Sequence, residues 1–184
     1  MLRGLCAALA NRLLPAACAL CGGDARGVLC AACHRYARPD PCACERCAAP
    51  LTTLSPQCGR CLAQPPAFDA SIAATRYAAP VDLLIQALKF RAQLPLAQAF
   101  AHWLLDTLAR RPQVRADLLI GVPLSAERLA ERGFNQAHEI ARPLARALRL
   151  PLRTDACARV RDTLPQSALA LANRRDNMRG AFAV

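Results

Sequence analysis

Residues 18–33 read CALCGGDARGVLCAAC, and residues 44–61 read CERCAAPLTTLSPQCGRC. Eight of the chain's 11 cysteines fall in these two stretches as four CxxC pairs: Cys18 with Cys21, Cys30 with Cys33, Cys44 with Cys47, and Cys58 with Cys61. Two thiolates separated by two residues on a tight turn point at one ion, and a second such turn completes the tetrahedron that zinc takes from sulfur. Eight residues separate the pairs in the first stretch and ten in the second, enough for a short hairpin that brings the turns face to face. The spacing predicts two four-cysteine zinc ribbons in tandem, hence two structural Zn2+ sites. A redox CxxC occurs singly at the start of a helix, and a disulfide scaffold needs an oxidising compartment, so four closely spaced pairs suit neither. Sequential pairing closes shorter loops and is the expected arrangement; the alternative is a cross-brace joining the first pair to the third and the second to the fourth. Cys42 and His34 sit beside ligand sets that are already complete and read as bystanders. Cys6 and Cys157 have no partner at metal spacing and read as small buried apolar residues.

Around the ligands stand Gly22, Gly23, Gly27, Pro39, Pro41, Pro50 and Pro56, with almost no apolar periodicity. Such a segment builds no core of its own. Metal must supply most of its folding free energy, on the order of 10 kcal/mol per structural site in peptide models. The formal charge of +11 is nearly all arginine, since Lys89 is the only lysine. Each zinc with four thiolates carries about −2, so two filled sites leave a charge of about +7. Arginine suits planar two-point contacts with phosphate, which favours phosphate-bearing partners; a composition rich in alanine and arginine throughout is the plain alternative.

The opening MLRGLCAALANRLLP places a charge before a short apolar run, as an export signal does, but Asn11 and Arg12 interrupt the run. Leu2, Leu5, Leu9 and Leu13 recur at helical spacing, so residues 1–15 are expected to form an amphipathic helix that packs on its own protein. No stretch approaches the roughly 18 uninterrupted apolar residues of a membrane span. The expected compartment is a reducing cytoplasm.

The character changes after Gln64, Pro65 and Pro66, giving an expected ribbon module over 16–66 and an α/β domain over 67–184. SIAATRY (71–77) reads as a strand, PVDLLIQALKF (80–90) as a helix, and LPLAQAFAHWLLDTLARR (94–111) as a longer helix with Leu96, Phe100, Trp103, Leu104 and Leu108 on one face. DLLIGVPL (117–124) has no alternation and suits a strand buried on both faces of a parallel sheet. A helix from about Asn135 to Leu148 and a strand from Leu152 to Val160 complete the pattern of an open α/β sheet. Ligands of such sheets bind beyond the carboxyl ends of strands. Here that place is GVPLSAERLAERGFNQ (121–136), where Pro123 and Leu124 leave the strand and Arg128, Arg132, Gly133, Asn135 and Gln136 gather near one helix start. Guanidinium forks, amides and free backbone N–H groups make a phosphate or pyrophosphate cradle; ordinary surface arginines on a solvated helix are the alternative. Neither GxGxxG nor GxxxxGK[ST] occurs, so no dinucleotide fold or P-loop is supported.

The tandem CxxC pairs, FDASIAATRYAAPVDLLIQALKF, GVPLSAERLAERGFNQ and RDTLPQSALALANRRDNMRGAF, in this order from Cys18 to Val184, resemble the ComF family of competence-associated proteins, related to amidophosphoribosyltransferases. The most specific parts are RGFNQ (132–136) and the series Thr163, Gln166, Leu169, Arg174, Asn177, Phe182. The resemblance implies a type I phosphoribosyltransferase fold, a parallel sheet with flanking helices behind a double zinc ribbon. It implies a cytoplasmic role in natural transformation and DNA uptake, with single-stranded DNA or competence proteins as partners. It also puts the loop from Pro123 to Arg132 where phosphoribosyltransferases bind pyrophosphate, with phosphoribosyl pyrophosphate as the ligand type and Mg2+ beside it in a complete protein.

One departure stands against those matches. Phosphoribosyltransferases carry a later strand ending in two acids and a Thr/Gly loop, whereas this sequence runs out at Ala183 and Val184 without one, and Asp162 and Asp176 are isolated. The sheet is therefore expected to be incomplete, a truncated member of the family, with catalytic residues unassigned. A second class of function is a non-catalytic adaptor, in which the ribbons dock single-stranded DNA or a protein and the α/β domain is a scaffold. An aromatic content of 4% gives little support to a base-stacking platform.

Overall fold

The computed structural model describes residues 16–36, 38–53 and 55–184. The amphipathic helix expected over 1–15, and Cys6 with it, lie outside the described residues. The chain divides into two compact units, one reaching to Arg115 and the other Ala116–Val184.

The first unit begins with an antiparallel pair, β1 (Ala16–Ala17) and β2 (Asp24–Ala25), followed by two short helices, α1 (Ala31–His34) and α2 (Gly59–Ala63). Then come α3 (Val81–Arg91) and α4 (Pro95–Ala109), close to the two helices read from the sequence. Pro95 opens α4 at its first position, where its missing N–H costs nothing. Leu96, Phe100, Trp103 and Thr107 recur every three or four residues and are buried, as are Val81, Leu84 and Leu88 of α3. Trp103 is 1% exposed; its ring meets Phe100 edge to face with centroids 5.5 Å apart, and its indole N–H donates to His34 Nδ1 at 3.2 Å. His34 stands outside the sulfur cluster beside it, as expected of a bystander to ligation, but it has a structural task. It ties α1, just after the ligand Cys33, to the helical core.

The strand expected at 71–77 is absent: these residues are irregular, and no strand among the described residues pairs with them. They are held instead by side chains, with Thr75 Oγ1 donating to the Tyr36 carbonyl at 3.0 Å and Arg76 Nε to Asp40 Oδ2 at 2.8 Å.

In the second unit β3 (Leu119–Ile120) pairs in parallel with β4 (Leu152–Arg153), and between them run α5 (Ala126–Arg132) and α6 (Gln136–Leu148). β5 (Ala158–Arg159) pairs antiparallel with β6 (Phe182–Ala183), where the Arg159 guanidinium lies 5.7 Å from the Phe182 ring centroid. Two short 3-10 turns and α7 (Arg174–Met178) connect them. The expected single strand 152–160 is therefore split between two pairs. A strand buried on both faces is also corrected: Leu118, Ile120 and Val122 are exposed, and β3 has one partner strand among the described residues, with α6 packed against it. The structure has mixed helix and strand, but its sheets are two-stranded pieces, and the open parallel sheet of a phosphoribosyltransferase is not among them.

What holds this unit is the seat of α6 on β3 and β4, and Ala141, Leu144 and Ala145 of α6 are buried. Gly121 permits it: a Cβ there would stand 2.9 Å from the His138 backbone nitrogen, closer than any side chain tolerates.

Candidate metal centres and the phosphate loop

The sulfurs of Cys18, Cys21, Cys30 and Cys33 lie within 4.8 Å of one another, and so do those of Cys44, Cys47, Cys58 and Cys61. The grouping is sequential, not crossed. Four sulfurs about 2.3 Å from a central zinc stand about 3.8 Å apart by tetrahedral geometry. The Cys21–Cys30 separation is 3.7 Å and that of Cys47–Cys58 is 3.8 Å. A disulfide needs about 2.05 Å, and none of the ten described cysteines forms one. The donor sets therefore fit zinc, which would be held by these eight sulfurs and would cross-link turns that otherwise lack a core.

The two centres repeat each other atom for atom in the backbone. Cys18 N–H donates to the Gly23 carbonyl at 2.7 Å, and Cys44 N–H to the Ala49 carbonyl at 2.8 Å. Gly22 N–H returns to the Cys18 carbonyl at 2.9 Å, as Ala48 N–H does to that of Cys44 at 2.8 Å. Cys30 N–H points at the Cys18 sulfur (3.4 Å) and Cys58 N–H at the Cys44 sulfur (3.3 Å). Ala17 pairs with Asp24 ahead of the first turn, and a bridge between Ala43 and Pro50 occupies the same place around the second. Cys30 and Cys58 then each cap a short helix carrying the fourth ligand.

One difference within this repeat yields a prediction. The residue after the second cysteine is left-handed in both turns, Gly22 at φ +72° and Ala48 at φ 56°. Only glycine adopts that conformation without a steric penalty, so Ala48→Gly is expected to stabilise the second ribbon and Gly22→Ala to destabilise the first, each by about 1 kcal/mol. Thermal unfolding of the two zinc-loaded variants checks the pair of opposite signs.

The sulfurs of each centre differ in acidity. Burial pushes Cys18 up, but the N–H groups of Cys21, Cys30 and Leu20 outweigh it and bring the thiol down to about 6. N–H groups from Cys47 and Cys58 bring Cys44 to about 6. Burial pushes Cys33 and Cys61 up to about 12. Zinc takes all four sulfurs as thiolates and so displaces the protons on Cys33 and Cys61. Added protons therefore compete with zinc. Its affinity should fall as pH is lowered, and more steeply below about 6, where Cys18 and Cys44 also take up protons. Competition with a chromogenic chelator across this range measures the slope; an affinity indifferent to pH would contradict thiolate ligation.

The loop read as a phosphate cradle is partly helical. α5 follows Ser125 and ends at Gly133, left-handed at φ 77°, and Asn135 caps α6 by accepting from the N–H groups of Ala137 (2.9 Å) and His138 (3.3 Å). Asn135 Nδ2 also donates to the Val122 carbonyl at 3.0 Å, fastening the cap to the end of β3. Arg128 donates to the Thr163 carbonyl at 3.3 Å, and Arg132 to the Gln136 amide oxygen. The structure thus brings Arg132, Asn135 and Gln136 together at one helix start, while Arg128 turns toward the segment bearing Thr163. Pro123 and Leu124 are half-buried between β3 and α5. Sequence reasoning missed Ser125: it is 3% exposed, and its hydroxyl has no hydrogen-bond partner among the described residues. Asp176 pairs with Arg179 at 3.0 Å on the surface. No helix among the described residues is long and apolar enough to cross a membrane.

The chain is 35% identical over 158 residues to the DNA utilization protein YhgH of Escherichia coli O157:H7, covering 84% of this chain and 70% of that protein. The protein of the same name from Shigella flexneri is 34% identical over the same coverage. Competence protein F of Haemophilus influenzae is 32% identical over 174 residues, 91% of this chain and 76% of that protein. No family model and no solved structure matches the chain. Identity at this level over most of both sequences, on a chain bearing two four-cysteine clusters, places it in the family: the chain belongs to the ComF family.

Proposed function

We propose that the chain serves DNA uptake in natural competence, in the cytoplasm, with residues 16–66 as a double zinc ribbon and 67–184 as a phosphoribosyltransferase-like domain. In this reading the loop Pro123–Gln136 binds a phosphorylated ligand of the phosphoribosyl pyrophosphate type, with Mg2+ as its companion. The role rests on relatives named for DNA utilization and for competence. The observation that supports the ligand site is the buried Ser125 hydroxyl: a sequestered polar atom without a partner carries a desolvation cost that a bound oxyanion would relieve.

The engaged arginines favour a second reading. Arg128 and Arg132 already bond within the chain, to Thr163 and Gln136, as they would in a scaffold rather than an open cradle. The second unit would then support a non-catalytic adaptor whose ribbons contact single-stranded DNA or a protein. Calorimetric titration of the zinc-loaded chain with phosphoribosyl pyrophosphate and Mg2+, in parallel with a short oligonucleotide, separates the two. Saturable heat from the first ligand, weakened in Ser125→Ala and Arg132→Ala, is expected. Silence there with a salt-dependent signal from the oligonucleotide would sink the cradle in favour of the adaptor.

A further inference from the structure

The first unit contains a cavity of about 610 Å³ that shares no lining residue with the loop Pro123–Gln136. Its apolar lining includes Pro39, Pro41 and Pro50 around the second ribbon and Ile72 and Tyr77 from the irregular segment. Its charged lining is Arg76, Arg110, Arg111 and one acid, Asp40. Asp40 is committed: its carboxylate takes the Arg76 guanidinium and also accepts from the Cys42 N–H at 3.2 Å, and its side chain is 10% exposed. Arg110 and Arg111, at the end of α4, make no side-chain hydrogen bond or ion pair among the described residues.

Size, walls and charge together select a ligand. Cavities of roughly 300–1,000 Å³ hold small molecules rather than folded partners. Proline faces, Ile72 and the Tyr77 ring offer flat apolar contact of the kind a planar ring accepts. Three arginines against one aspartate leave a formal excess of two positive charges. A phosphomonoester carries about −2 near neutral pH, whereas a phosphodiester carries about −1. Paired guanidinium forks at Arg110 and Arg111 match the monoester's oxygens. We infer that this cavity binds a nucleoside monophosphate, its base among the prolines, Ile72 and Tyr77 and its phosphate on Arg110 and Arg111. The same chemistry is presented by a free mononucleotide and by the 5′-phosphorylated end of a single strand.

The site is independent of the loop at Pro123–Gln136, and its test is kept separate. The zinc-loaded full chain is titrated with dAMP, with deoxyadenosine, and with a short oligodeoxynucleotide bearing or lacking a 5′-phosphate. Binding that requires the phosphate is expected, and the double variant Arg110→Ala/Arg111→Ala should weaken it at least about tenfold. Ala73→Glu, at an exposed position of the lining, adds a negative charge without disturbing the core and should weaken binding likewise. Phosphate-dependent binding of dAMP assigns a free nucleotide, and binding confined to the 5′-phosphorylated strand assigns a strand end; either supports the site. No binding by any probe, or affinities equal in the wild type and in both cavity variants, overturns it.

Discussion

Cys44→Ser is expected to release one of two zinc ions and unfold the second ribbon while the first centre keeps its metal. Cys44 is fully buried, and its sulfur accepts the Cys58 N–H that joins the two halves of the centre. A serine hydroxyl is a poor zinc ligand and leaves three thiolates around an open position. Structural zinc contributes on the order of 10 kcal/mol to modules of this type, comparable to the whole stability of a small domain, so no packing within 44–61 makes up the loss. Leu51 within the segment is only half-buried, and Leu62 just past it is exposed. Zinc stoichiometry and limited proteolysis of the variant check the result. Cleavage within 44–61 with 18–33 protected is the expected pattern, and an unchanged stoichiometry would contradict it.

Trp103→Ala should be the most damaging single change outside the cysteines, costing about 3–5 kcal/mol. The indole is buried against Phe100, and its N–H goes to His34 beside a zinc ligand, so truncation opens a cavity and leaves the His34 nitrogen without its donor. Trp103→Phe separates the two effects. It keeps most of the buried volume and loses the hydrogen bond, so a cost nearer 1 kcal/mol is expected from that bond, with some loss of fit added. Denaturant unfolding of both variants gives the comparison, and equal stabilities of Trp103→Ala and wild type would remove the helical core from this role.

The centres were legible because metal ligation is local: two residues between sulfurs, and eight or ten between pairs, set the turn whatever surrounds it. Helices α3, α4 and α6 were legible for a similar reason, since one apolar stripe and a proline or asparagine at the start mark them. Strands were harder, because a strand is defined by its neighbour. SIAATRY has suitable residues but no partner strand, and its Thr75 and Arg76 bind side-on to Tyr36 and Asp40. DLLIGVPL looked doubly covered, yet its composition cannot report that β4 is its one partner strand among the described residues. The link from His34 to Trp103 spans 69 positions and leaves no spacing signal. In the phosphate loop the residue types were right for a helix start, but Asn135 spends its side chain on capping α6 and holding Val122. Ser125 stood out only through burial, a property of the fold that the stretch PLS does not announce.

The central claim is that eight thiolates, grouped in order along the chain, hold two ions and so shape the front of the molecule. Metal analysis of the reduced, purified chain measures it directly. Two zinc ions per chain are predicted, falling to one in Cys18→Ser and to one in Cys44→Ser. A chain without tightly held metal, or with Cys18, Cys21, Cys30 and Cys33 joined as disulfides, would contradict it.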